Sequence, residues 1–514
     1  MGSSHRVLQQ VGAIGAVVTV VALASCSDSS KDAAGGRTDR TPTTVESPPV
    51  YQPSFATVAC GDPRFVDLDI GAGGECGTLT VPEDRSNPTG RQVTLAVLRL
   101  PALDGSVGGV PLVYLSGGPG DAAIDAGWQQ RVVAADRPVI LVDQRGTGRS
   151  TPSLDCPEID EATWRELAEG MDLDARSVSA SRARAACRKR LAGEVDLDSY
   201  DTPTMAADMA DLRTAMGLDE WSILGVSYGT AIGREILRSH PDGLQAAILD
   251  SVVEPGLDDG PGAGTKGVEE AFGRLFDACD GDAACATNHP DLEADLLAIR
   301  DRLNAAPHEV PFTDSDGVSR VARLTGDTVL GGMFQAMYDS SLIGLLPSFI
   351  GQVANGQDGV LDAVGGPLLG TLAEGSNGVF LSVGCADRQD RSTPGNTEQL
   401  RKERPLAAFR ADDTGCADWD VESVPGAVNT VGATTVPTLL LGGQFDPVTP
   451  AEGTKRVARK MGARATFVEL PGLGHGVLFA ADPCPHSIAD AFLAAPDAPV
   501  DTSCVASMPP VTFS

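Results

Sequence analysis

Short apolar runs alternate with helical stretches through most of the 514-residue chain, and this alternation constrains the fold more than any other feature. Val93–Leu100 (VTLAVLRL), Leu112–Leu115 and Pro138–Val142 read as strands rich in Val, Ile or Leu. Residues 204–216 carry apolar side chains at helical spacing, with no Pro or Gly until Gly217, which reads as a C-terminal cap. Trp221–Leu224 then reads as a strand, Tyr228–Arg238 as a helix and Gln245–Leu249 as a strand again. Further on, Val436–Leu441 and Ala465–Leu470 read as strands, Ala451–Met461 and Ser487–Ala494 as helices. This order predicts an α/β protein whose mostly parallel sheet is covered by helices on both faces. Residues 256–378 break the rhythm with Gly-rich turns and helical stretches at Val268–Cys279, Asp291–Ala305 and Asp327–Leu342. They are expected to form a largely helical cap inserted between a first core part (58–255) and a second (379–514).

The N-terminus stands outside this pattern. Met1–Gln10 carries one cation, Arg6, and no acid, and Val11–Ser25 is a run of 15 small and apolar residues. That is too short for a comfortable membrane span and right for a signal segment. It ends in Leu23-Ala24-Ser25-Cys26, which resembles the bacterial lipobox, whose cysteine becomes the lipidated first residue. Residues 1–26 are therefore expected to be a lipoprotein signal. The polar, Pro/Ser/Thr/Gly-rich residues 27–57 would form a flexible tether. The body would then sit on the outer face of the cytoplasmic membrane, and cleavage elsewhere would instead secrete it.

Eleven cysteines less Cys26 leave ten, an even number that suits disulfides in an exported chain. Joining sequence neighbours gives Cys60–Cys76, Cys156–Cys187, Cys279–Cys285, Cys385–Cys416 and Cys484–Cys504. Lys and Arg number 39 against 70 Asp and Glu, a net charge of −31 that repels phosphate backbones and argues against a nucleic-acid partner. No HExxH occurs, and the Asp314–Gly317 stretch has Phe312 and Arg323 where a calcium loop needs oxygen ligands, so no metal or cofactor is expected.

Chemistry concentrates in separated loops. Gly225-Val226-Ser227-Tyr228-Gly229 is a G-x-S-x-G between a strand and a helix, the setting of a nucleophile elbow. Its glycines relieve crowding at a sharp turn, and the helix N-terminus favours a developing anion. The plainer alternative is a glycine-rich turn with a surface serine. Of six histidines, His5 lies in the signal segment, His240 precedes Pro241, and His289 and His308 fall in the cap. His475, in a small-residue loop after Ala465–Leu470, is the expected base; His486 reads as a surface or capping residue. Asp446, just past Val436–Leu441, is the expected orienting acid, although it could simply start an Asp-Pro turn. Ser, Asp, His is the chain order of an α/β-hydrolase. Ser116-Gly117-Gly118-Pro119-Gly120 follows a strand and can aim bare N–H groups into a cleft, with the amides of Gly118 and Tyr228 as oxyanion donors. A phosphate loop is rejected for want of a GK[ST] ending.

GGPG (117–120), DQRGTGRS (143–150), GVSYGT (225–230), GGQFDPVTP (442–450) and GLGHG (472–476) together resemble the prolyl- and tripeptidyl-aminopeptidase family of α/β-hydrolases. The likeness spans about residues 58–505 and is greatest to the exported branch, which includes the tripeptidyl aminopeptidases and mycobacterial-type carboxylesterase A proteins. It implies Ser227 as nucleophile, Asp446 as orienting acid and His475 as base, with Asp143 and Arg145 structural. Ser116 departs from the His that usually precedes GGPG in prolyl aminopeptidases. The implied activity is release of di- or tripeptides from substrate N-termini through an acyl-enzyme, with Glu254, Asp387 or Asp390 holding the free amine. A carboxylesterase or lipase-like enzyme with the same triad is the alternative, and an inactive envelope binding protein a further one.

Overall fold

The computed structural model describes residues 51–514 except 69, 71–72, 107, 125–134, 257–264, 314–316, 364–374, 388–396, 411–414, 425 and 514. The chain divides into Met1–Val50 and Tyr51–Ser514, and only the second unit is described. The signal segment, Cys26 and Asp390 lie outside the described residues. No helix among the described residues is long and apolar enough to cross a membrane.

Nine strands form one sheet: β1 Ser54–Val58, β2 Glu75–Pro82, β3 Gln92–Leu100, β4 Leu112–Leu115, β5 Val139–Val142, β6 Trp221–Val226, β7 Leu244–Asp250, β10 Thr438–Gly443 and β11 Ala465–Leu470. Their order is β1-β2-β3-β5-β4-β6-β7-β10-β11. β1, β2 and β3 pair antiparallel, as do β3 and β5, and every pairing from β5 through β4, β6, β7 and β10 to β11 is parallel. The parallel strands β4, β5, β6 and β10 are short and buried on both faces, as their apolar runs require, whereas β11 at the sheet edge is part-exposed. Along them, successive residues serve opposite layers: Ile223, Ala247 and Leu440 meet one apolar cluster, Leu224, Ile248 and Leu441 the other. Met205, Met209, Ile236 and Val457 fill the first layer, Ile488 and Phe492 the second. Each such buried side chain contributes about 1.5–3 kcal/mol.

The tether read at 27–57 is corrected at its end. Ser54–Val58 is an edge strand paired along its length with β2, and Phe55 lies across Gly77, where a Cβ would stand 2.3 Å from the ring. Helices α1 Pro157–Glu169 and α2 Leu173–Leu191 follow β5, ahead of α3 Thr202–Ala215 and α4 Gly229–Ser239. The inserted region carries its own apolar cluster, including Phe272, Leu296, Leu303, Leu330 and Ile350, on helices that begin with α5 Thr265–Gly281. It also contains an antiparallel hairpin, β8 His308–Thr313 with β9 Ser319–Leu324, against which α1 rests through Trp164 and Phe312, 5.7 Å between ring centres. The single helix expected over 327–342 is two, Gly326–Ala336 and Ser340–Ile343, because Asp339 caps the second by accepting the Ser341 N–H. Among the described residues no strand joins the large sheet between β7 and β10, so its rhythm resumes at Thr438. The five disulfides join Cys60–Cys76, Cys156–Cys187, Cys279–Cys285, Cys385–Cys416 and Cys484–Cys504.

Candidate active site

The G-x-S-x-G turn leaves β6 and enters α4 with Ser227 at φ 55°, a left-handed conformation that a non-glycine residue adopts only under constraint. The constraint is close packing. A Cβ on Gly225 would stand 2.5 Å from the Gly229 carbonyl oxygen, and one on Gly229 would stand 2.0 Å from that of Leu115. The Ser227 N–H donates to the Asp250 carbonyl, 3.0 Å.

The loop after β4 lies against this elbow. An ideal Cβ on Gly117 would be 3.1 Å from Ser227 Cβ. The Ser116 hydroxyl donates to the Asp121 carbonyl at 2.8 Å, and Gln144 Nε2 donates to the Ser116 carbonyl at 3.1 Å, so the departing serine closes the loop. Asp143 holds the next segment by accepting the Ala123 and Ile124 N–H groups at 2.7 and 2.8 Å. Arg145 is fully buried and forks onto Asp208 at 2.6 and 2.7 Å. Gly118 is exposed, and among the described residues neither its amide nor that of Tyr228 donates to a protein acceptor. Two unspent N–H groups beside Ser227 can receive an anion.

His475 follows β11. Its Nδ1 lies 3.0 and 2.9 Å from the two oxygens of Asp446. Asp446 is buried just past β10 and also accepts the N–H groups of Val448 and Thr449, at 2.9 and 2.8 Å, and the Thr449 hydroxyl at 2.7 Å. Burial alone would raise its pKa, but the adjacent imidazole and these donors outweigh burial and hold it below the usual carboxylate range. Burial likewise works against a charged His475, while Asp446, then Asp250 and Asp121, raise its pKa above the ordinary 6.5. The ring meets Tyr338 edge-on with centres 4.8 Å apart. The His475 loop is pressed against the cap: a Cβ on Gly474 would stand 2.3 Å from the Met337 carbonyl oxygen, and the Gly474 N–H donates to Ser340 Oγ at 3.0 Å. From α5, the Arg274 guanidinium donates to the Asp446 carbonyl at 3.1 Å.

Asp250, at the end of β7, ties the halves together and has no motif to announce it. Besides its carbonyl bond to Ser227, its buried carboxylate accepts the N–H groups of Val477 and Leu478, at 3.1 and 2.9 Å, directly after His475. Ser251 adds a third strand-end contact, accepting the Gly476 N–H at 2.8 Å. The Ser227 hydroxyl makes no hydrogen bond to His475 among the described residues; such contacts commonly tighten only when substrate is bound.

Of the expected amine-binding acids, the two within the described residues have protein partners. Glu254 is clamped by Arg456 at 2.9 and 2.6 Å. Asp387 is half-buried beneath the elbow, accepting the Thr202 hydroxyl at 2.5 Å, which in turn lies 2.7 Å from the Tyr228 hydroxyl. Burial pushes its pKa up to about 7.

A parallel sheet with a strained serine at one strand end and a His–Asp pair at two others defines an α/β-hydrolase. Residues 110–287 match the alpha/beta hydrolase fold family and residues 406–504 the TAP-like protein family, so the chain is an α/β-hydrolase with a TAP-like C-terminal region. It is 26% identical over 459 residues to serine protease Hip1 of Mycobacterium tuberculosis, covering 83% of this chain and 86% of the relative. It is 28% identical over 453 residues to tripeptidyl aminopeptidase of Streptomyces lividans (82% and 81% covered). Carboxylesterase B of Mycobacterium tuberculosis is 27% identical over 444 residues (80% and 82% covered).

Proposed function

We propose that the protein is an exported serine aminopeptidase releasing short peptides from substrate N-termini. The observation that carries the reading is the Asp446–His475 pair, held by the same Asp250 that fixes Ser227. Ser227 Oγ attacks the scissile carbonyl and its proton passes to His475 Nε2, while Nδ1–H donates to Asp446. The amides of Gly118 and Tyr228 receive the oxyanion. The C–N bond then breaks as His475 returns the proton to the leaving amine, and water, activated by the same imidazole, hydrolyses the acyl-enzyme.

The TAP-like region and the peptidase relatives support peptides over esters. Five disulfides suit an oxidising, extracytoplasmic location, and the Leu23–Cys26 stretch adds lipid anchoring through Cys26. In the mature wild-type chain, intact-mass analysis should find acyl chains on Cys26. Free-amine and N-acetylated peptide amides are to be compared in the wild type and Ser227→Ala. The reading predicts preference for the free amine and loss of turnover in the variant. An enzyme indifferent to acetylation and faster on simple esters would be the carboxylesterase instead.

A further inference from the structure

Helix α4 starts at the nucleophile's turn and carries an unspent cation further along. Arg234 is part-buried, and its Nε is shielded from water without a hydrogen-bond partner. Among the described residues no oxygen accepts from its guanidinium and no acid pairs with it; Asp387 and Glu235 act on it only through space. The neighbouring acid is spent elsewhere: Glu235 accepts from Arg238 at 2.9 and 2.5 Å and from the Ser239 hydroxyl at 2.7 Å. Burial pushes the pKa of Arg234 down to about 10, which leaves it charged at neutral pH. Burying such a donor without an acceptor is costly, and an anion would offset the cost.

Arg234 lines a cleft of about 110 Å³ between α4, the 428–434 loop and Met461, enough for several waters or a ligand of about six heavy atoms. Opposite α4 the cleft is lined by Val431, Gly432 and Ala433, whose backbone N–H groups donate to no protein acceptor among the described residues. Its charged lining is two cations, Arg234 and Arg238, against one acid, Glu235, a surplus of one positive charge in a chain of net charge −31. Leu237, Val428 and Met461 give the same cleft an apolar side. Arg234 lies seven residues beyond Ser227, about 10 Å along the helix, so an occupant would not meet the reacting atoms.

We propose that this cleft binds a short aliphatic carboxylate, with both oxygens on the Arg234 fork and the chain against Leu237 and Met461. A guanidinium presents two parallel N–H groups that match a carboxylate. One negative charge balances the surplus in the lining, whereas a phosphate dianion exceeds it and has no use for the apolar side.

The test is titration calorimetry on the disulfide-intact chain with butyrate, its neutral isostere butyramide, and inorganic phosphate, at constant ionic strength. Butyrate should bind saturably with a Kd of about 1 mM, and butyramide and phosphate at least about tenfold more weakly. Arg234→Gln should weaken butyrate at least about tenfold, the scale of a lost charged hydrogen bond, while hydrolysing substrate at the wild-type rate, which shows that it is folded. Lys189→Gln, which removes an exposed cation from α2, should bind butyrate like the wild type. No saturable binding of butyrate, or Arg234→Gln within twofold of wild type, overturns the site. Phosphate or butyramide binding as tightly as butyrate overturns the carboxylate, and an equal loss in Lys189→Gln overturns Arg234 as its anchor. None of these results bears on the aminopeptidase reading.

Discussion

Asp250 and Asp446 occupy the ends of neighbouring parallel strands, yet the molecule uses them differently. Both are fully buried and each accepts two backbone N–H groups. Burial pushes both toward the neutral form. At Asp446 the imidazole bonded to its oxygens and the Thr449 hydroxyl overcome that push, and the carboxylate stays ionised. Asp250 has the Ser251 hydroxyl and acts on His475 only through space, so burial prevails and its pKa rises to about 6. Direct contact with the imidazole thus separates an acid that orients it from one that anchors the loop carrying it.

Replacing each acid separates these roles. Asp446→Asn should lower kcat about 10⁴-fold, the scale of a lost orienting acid, measured with a free-amine anilide. Asp250→Asn should cost less in turnover, about 10–100-fold. It should also lose about 1–3 kcal/mol of stability in urea unfolding, since its amide sets N–H against N–H where the carboxylate accepted. Equal activity losses in the two variants would erase the distinction.

Their linkage to pH should have opposite signs. Asp446, depressed below 3.8, contributes stability present above that pH and lost as pH falls through its folded value. Asp250, raised from 3.8 to about 6, favours the fold at low pH, and that contribution is lost as pH rises through about 6. Unfolding curves across pH 3–7 (about the window these values define) should therefore flatten at the acid end in Asp446→Asn and toward pH 6 in Asp250→Asn. In turnover, the acid limb should fall above 6.5, because His475 must be neutral to accept a proton and its neighbours raise its pKa. The smallest effect is expected at Tyr228→Phe. The Tyr228 backbone amide serves the oxyanion, so the hydroxyl's loss should leave kcat within about threefold and cost about 1 kcal/mol, the value of one buried hydrogen bond.

The sites readable from sequence share a cause. Ser227, Asp446 and His475 each lie beyond a strand end among glycines or prolines, where chain order and small residues advertise a crowded turn. Asp250 lacks such neighbours, and only the three-dimensional crossing of loops reveals it. Helix α2 was illegible for another reason: its sequence, LDARSVSASRARAACRKRL, has no apolar stripe. It is held by the Cys156–Cys187 bridge and by Arg184 on Asp418 and Arg190 on Glu158. Strand β1 was hidden because an edge strand with half-exposed side chains reads like a tether. No spacing rule distinguishes Glu254 or Asp387 among the acids in or near the cap, and their partners, Arg456 and Thr202, come from distant segments.

Whether Ser227, His475 and Asp446 pass a proton as one unit is tested most directly by fluorophosphonate labelling with peptide mapping. The wild type should carry the adduct on Ser227, at a rate that rises as His475 becomes neutral, and His475→Ala should label at least about 10³-fold more slowly. An adduct on another serine, or undiminished labelling without the imidazole, would contradict it.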